Sequence, residues 1–229
     1  MKKTLFLLLI CFYLPVFAQP VKLSDWSQPY IDKSINNITY TSVLNCNKKT
    51  PYYVFYDLYP NDFSDNTAKR KNIWPSRVPN NIKLVCGDYA ITKDYAKSGY
   101  DRGHLAPVSD FDSSQDKENS TFSFANAAPQ NKTLNRGEWE QLERYERDLA
   151  IRHNGITVIT GIIQSQNKYI GDHVGVPDYF YKMFLWKENG KVQTQTFIAP
   201  NTKSKPQQID ITTLERQAGL SFKPNVQNF

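Results

Sequence analysis

The chain has 229 residues, a net charge of +6, 40% hydrophobic residues and 14% aromatic residues. That is enough apolar material for one substantial core, and it excludes a disordered or collagen-like chain. The excess of 28 Lys and Arg over 22 Asp and Glu fits an anionic partner such as nucleic acid without demanding one.

The opening residues, MKKTLFLLLICFYLPVFAQP, place two lysines before an apolar run from Leu5 to Leu14 and the small residue Ala18. This pattern predicts a signal peptide cleaved after Ala18, and so a secreted or periplasmic protein with no membrane attachment after cleavage. The run is shorter than the roughly 20 residues a helical span requires, and no later segment approaches that length. Residues 19–37 read as an irregular N-terminal arm. Residues 38–229 read as a single domain, since no repeat, low-complexity tract or flexible linker divides them. Cys46 and Cys86 are the cysteines left after cleavage, and in an oxidising compartment they predict a disulfide. Closing such a loop is worth about 4 kcal/mol on the chain-entropy argument. No zinc site is expected, because these cysteines and His104, His153 and His173 show none of the usual ligand spacings.

Strands are predicted where β-branched and aromatic residues cluster: YYVFYDLY (52–59), FSFAN (122–126), ITVITGII (156–163), YFYKMFLW (179–186) and VQTQTFIA (192–199). Between Pro60 and Asn81 a polar stretch with Lys69, Arg70, Lys71 and Arg77 reads as a long surface loop. The stretch LNRGEWEQLERYERDLAIRHNG predicts a helix with Asn135 as N-cap and Glu138 at the capping-box position. Its apolar stripe is Trp139, Leu142, Leu149 and either Tyr145 or Glu146, and Gly155 is the stop. A shorter helix is predicted within 209–220. Many strands, few helices and no strand-helix alternation make the chain α+β with a mainly antiparallel sheet.

The residues YDRGHLAPVSDF (100–111) hold an acid, a guanidinium, a glycine and a histidine in succession. If they are extended, Arg102 and His104 share one face while Asp101 and Gly103 share the other. A cation and a titratable base then form one patch, and nearby positive charge keeps the imidazole neutral and able to take a proton. Asp101 supports the loop by accepting hydrogen bonds, and Gly103 leaves the backbone open to a bulky anion. Taken alone, a histidine in a charged loop is better explained as a structural residue than as a base.

Three motifs in order, DRGH-x-AP, N-x-x-PQ and LN-x-G-x-W-x-x-LE, resemble those of the DNA/RNA non-specific endonucleases, the secreted ββα-metal nucleases. The similarity covers most of residues 40–215 and is strongest over 100–147. The resemblance implies a ββα-metal fold, with a central, mainly antiparallel sheet flanked by helices, FSFAN as the second ribbon strand and the helix after Asn135 completing the unit. It implies metal-dependent hydrolysis of DNA, RNA or both to 5′-phosphate products, with Mg²⁺, Mn²⁺ or another divalent cation. His104 falls on the family's general base and Asn135 on its metal ligand. Glu143 lies eight residues further on, about 12 Å along a continuous helix. It is therefore expected to hold water of the metal's shell and not the ion itself. Arg102 is expected to offset transition-state charge, and Asn126 and Arg147 to contact substrate, although Asn126 can equally fix a turn and Arg147 can pair with Glu143. The competing readings are a catalytically silent nucleic-acid-binding protein of the same fold and an exported phosphodiesterase acting on a smaller substrate.

Overall fold

A computed structural model of the chain describes residues 34–222; the expected signal peptide and nearly all of the expected arm lie outside the described residues. The end of that arm is not irregular. Ser34–Asn36 forms β1, which pairs antiparallel with β2 (Thr41–Asn45), and β2 turns into β3 (Thr50–Leu58). After a long segment come α1 (Asn80–Cys86), β4 (Asp101–His104), α2 (Gln115–Thr121) and β5 (Ala127–Gln130). Next are α3 (Lys132–Asn135), α4 (Glu138–His153) and β6 (Ile156–Ile163), then the short β7 (Tyr169–Ile170) and β8 (Val174–Gly175). The order ends with β9 (Tyr179–Glu188), β10 (Lys191–Pro200), β11 (Gln207–Ile209) and α5 (Ile211–Ala218).

Seven strands form one antiparallel sheet in the order β1-β2-β3-β6-β9-β10-β11. Its central strands are covered on both faces, so the period of two sorts core residues between two layers and not between core and water. Val54, Tyr56, Phe180 and Phe184 face Trp139, Leu142 and Leu149 of α4, whereas Tyr53, Phe55, Tyr181 and Met183 face Leu214 of α5. On the α4 side the alternation of β9 also turns Lys182 inward, between Phe180 and Phe184, with no exposed surface. Among the described residues, no helix is long and apolar enough to cross a membrane.

Two expected elements are corrected. FSFAN is not a strand: Ser123 accepts a hydrogen bond from the Ala125 amide and closes a 3₁₀ turn over Phe124–Asn126, and pairing begins only at Ala127. Phe122 and Phe124 supply aromatic contacts to the Trp74 segment, a use the strand pattern imitates. The helix predicted from Asn135 is broken in two. Asn131, not Asn135, caps α3 by accepting from the Thr133 and Leu134 amides, and Glu138 opens α4 without a capping box. The break falls at Gly137, where a Cβ would stand 2.8 Å from the Thr133 carbonyl oxygen. In α4 the buried stripe runs Trp139, Leu142, Glu146, Leu149 and Ala150, so the carboxylate and not Tyr145 takes the inward position. Asn154 adopts the left-handed conformation that ends the helix, one residue before the expected Gly155.

The Cys46–Cys86 disulfide joins the end of α1 to the turn after β2. Ile82 of α1 packs into a third cluster with Tyr89, Tyr95, Phe124 and Trp74, so the bridge closes the segment that carries Trp74. Replacing both cysteines by serine should lower unfolding stability by about 2–4 kcal/mol. Urea denaturation checks this, and an unchanged midpoint would mean that packing alone closes the loop.

Candidate active site

β4 and β5 form a two-stranded ribbon in the register Asp101↔Gln130, Arg102↔Pro129, Gly103↔Ala128 and His104↔Ala127. Gly103 is buried, and a Cβ there would stand 2.2 Å from the Gln130 Oε1 and 2.5 Å from its Cβ. The glycine therefore admits a buried glutamine side chain, which corrects the expectation that it opens the backbone to substrate.

Arg102 and His104 do share a face, and Trp74 defines it. The His104 ring lies 4.9 Å from the Trp74 ring and meets Phe122 edge-on at 5.4 Å. The Arg102 guanidinium lies 5.5 Å from the same indole and 5.8 Å from Tyr95, and it makes no ion pair among the described residues. Burial, and after it the charge of Arg70, pushes His104 down to about 3, so the imidazole is neutral throughout the neutral range. Among the described residues its Nε2 has no hydrogen-bond partner. Arg70 stands 6.0 Å from the Phe122 ring, which meets both His104 and Trp74. Composition alone does not distinguish Arg70 from Lys69, Lys71 and Arg77, and it does not mark Trp74 as part of the site. The available signal was one aromatic residue inside the polar run KRKNIWP.

The opposite face of the ribbon belongs to Asp101. Its Oδ2 accepts from Asn135 Nδ2 at 3.0 Å and Arg136 Nε at 2.8 Å, and its Oδ1 accepts from Arg136 Nη2 at 2.8 Å. Burial opposes ionisation of Asp101, but Arg136 and Asn135 outweigh it and hold the carboxyl below its ordinary range. Because a carboxylate can only accept, it must face the NH₂ end of the Asn135 amide. The Asn135 Oδ1 is left without a hydrogen-bond partner among the described residues, as a hard-cation ligand would be. No cluster of three or more His, Cys, Asp and Glu suited to a metal occurs among those residues. A divalent ion at Asn135 would thus take most of its shell from water and phosphate.

Glu143, on α4, belongs to a third group of residues. The helix break at Gly137 removes the continuous rise from which its separation from Asn135 was expected. Burial pushes its carboxyl up to about 7; Lys182 opposes the rise and Glu146 adds to it. Arg147 is engaged with buried Asp110 at 2.8 Å, which corrects its assignment to phosphate or to pairing with Glu143. Asn126 has no exposed surface: its Oδ1 accepts from the Ala106 amide, and its Nδ2 donates to the Ala106 and Thr121 carbonyls. It cannot contact substrate, and its side chain staples the turn after His104 to the residues before β5.

A histidine-bearing ribbon leading into a helix across a large antiparallel sheet is the architecture of a ββα-metal nuclease. The chain belongs to the DNA/RNA non-specific endonuclease family, which it matches over residues 25–229. "Endonuclease G, mitochondrial" of Homo sapiens is 35% identical over 60% of this chain and 52% of the relative. "Nuclease EXOG, mitochondrial" of Xenopus laevis is 30% identical over 78% of this chain and 55% of the relative. The chain thus spans about half the length of these curated relatives. A crystal structure of the EndoG/EndoGI complex superposes with a TM-score of 0.75 at 26% identity, over 85% of this chain and 86% of that one. The expectation of a secreted or periplasmic protein is overturned by these relatives, which are named as mitochondrial nucleases.

Glu143 provides a test by pH. A carboxyl near 7 against an ordinary 4.5 favours the protonated form in the fold. Its contribution to stability is present below the lower value and is lost as pH rises through the upper one. Glu143→Gln, which cannot titrate, should gain on wild type by on the order of 1–2 kcal/mol between about pH 5 and pH 8 in EDTA, after allowance for screening of a half-buried group. His104 titrates in the opposite sense but equally in both proteins. Melting curves at the two pH values decide; a pH-independent difference would mean that the Glu143 carboxyl is unperturbed.

Proposed function

We propose that the chain is a divalent-metal-dependent endonuclease that hydrolyses phosphodiester bonds of DNA and RNA with little sequence preference. The observation that carries this reading is a neutral imidazole whose Nε2 has no hydrogen-bond partner among the described residues, beside an arginine with no ion pair among them, on a ribbon whose Asp101 orients the amide of Asn135 on α3. His104 is the general base. It takes a proton from water as the water oxygen attacks phosphorus in line, and the P–O3′ bond breaks with its electron pair going to the 3′ oxygen, which leaves a 5′-phosphate. Arg102 offsets charge on the phosphoryl oxygens, and Arg70 attracts the backbone and adds to the burial that keeps His104 neutral. Asn135 is the residue that would hold the cation, oriented by Asp101. When bound, a divalent cation such as Mg²⁺ or Mn²⁺ would withdraw charge from phosphoryl and leaving oxygens. Glu143, once ionised, is a hydrogen-bond acceptor for water at the site.

Contacts of this kind read the nucleic-acid backbone and not base edges, so cleavage should be tolerant of sequence and should weaken as salt rises. Plasmid DNA, single-stranded DNA and RNA incubated with the purified protein and Mg²⁺ test the reading. Wild type should cut the polymers, EDTA should stop it, and His104→Ala should be slower by about 10²- to 10⁴-fold. Asn135→Ala should raise the Mn²⁺ concentration needed for half-maximal rate. Polymers left intact by wild type would favour a silent binding protein or a smaller phosphodiester substrate.

A further inference from the structure

On the α4 side of the sheet, β9 alternates Phe180, Lys182 and Phe184, and the middle position holds a charge where the pattern asks for an apolar side chain. The Lys182 Nζ, fully buried, donates to Glu146 Oε2 at 2.6 Å and to the carbonyl oxygen of Leu105 at 3.4 Å. Glu146, also without exposed surface, accepts from the Tyr56 hydroxyl through its other oxygen. That hydroxyl reaches Asp110 at 3.3 Å, and Asp110 completes the chain to Arg147. Leu105 follows His104 directly, and its amide is bonded to the Asn126 carbonyl at 2.9 Å. The backbone leaving His104 is therefore fixed from one side by Asn126 and from the other by Lys182, whose counterion sits on the helix that carries Glu143.

We propose that Lys182 is a positioning residue for hydrolysis, its buried ammonium tying the peptide after His104 to α4 and so setting the imidazole against the helix-borne half of the site. Stability does not account for the charge, since a buried ion pair exchanged for apolar side chains of similar volume is often neutral or stabilising. What an apolar residue cannot supply is the donor to Leu105 and the counter-charge to Glu146. A displacement of about 1 Å at a reacting group can cost on the order of 100-fold in rate, so a tether this close to the base acts on chemistry more than on folding.

The inference rests on the reading of His104 as the base, and the experiment separates the two. Lys182→Met alone strands the Glu146 charge and is expected to fold poorly, so the decisive protein is Lys182→Met/Glu146→Leu, measured in the wild-type and His104→Ala backgrounds. With melting temperature near that of wild type, the paired substitution should lower kcat by roughly 10- to 100-fold at unchanged KM. In the His104→Ala background it should change the residual rate less than twofold, because it acts through the missing group. Equal losses in both backgrounds, a kcat within twofold of wild type, or a collapse of the melting temperature would each overturn the role of Lys182 while leaving His104 as the base. A His104→Ala variant as active as wild type would instead overturn the reading of the site, and this inference with it.

Discussion

A lysine ammonium and a glutamate carboxylate 2.6 Å apart, both without exposed surface, lie where α4 meets the central sheet. Either charge left alone there would cost several kcal/mol, so the helix has little freedom to rotate or slide once Glu146 has met Lys182. A shift of one residue would turn Glu146 by about 100° and leave both charges unpaired. Fixing that one contact fixes the rest of the helix. Trp139 is set edge-on against Phe180 at 5.7 Å, Glu143 stands one turn before the pair, and Arg147 is brought to Asp110.

The ribbon divides its labour by the period of two. On one face the charge is deliberately unbalanced: Arg102 rests between two aromatic rings, Arg70 flanks the imidazole, and no acid of the described residues pairs with Arg102. On the other face the acid is fully engaged, since Asp101 is shared between Arg136 and Asn135. The first face thus gathers uncompensated cations and a neutral imidazole, while the second orients the Asn135 amide of α3. Placing Asp101 among the cations would neutralise the field that attracts an anion.

Long, strongly patterned elements were legible in the sequence: β3, β6, β9, β10 and α4 stand close to where their residues predict them. So were the face shared by Arg102 and His104, and the supporting hydrogen bonds of Asp101. What could not be read depends on contacts distant in the chain. FSFAN has the composition of a strand, but its aromatic rings are spent on Trp74, and strand pairing passed to the bland AAPQ, whose Pro129 lacks an amide donor. Asn135 has the character of a cap, yet Asn131 reached the free amides first. Gly103 looked like an access point because no local feature shows that Gln130 will fill the space. Arg147 was assigned by motif position, and only the folded chain brings it to Asp110.

The cluster beneath the site carries a surplus of negative groups. Lys182 and Arg147 must balance Asp110, Glu143 and Glu146, and a low-dielectric interior cannot hold the third carboxylate ionised at no cost. The surplus is resolved by depth. Asp110, with no exposed surface and close to Glu146, is pushed well above its ordinary range by burial and then by that neighbour, while Arg147 and Lys182 oppose the rise. Glu143 sits at the solvent edge of the same group, and burial brings it only to about 7. The carboxylate whose charge changes near neutrality is therefore the one that water can reach. A carboxyl that changes charge near neutrality thus stands in the candidate site, one helical turn before the Lys182–Glu146 contact.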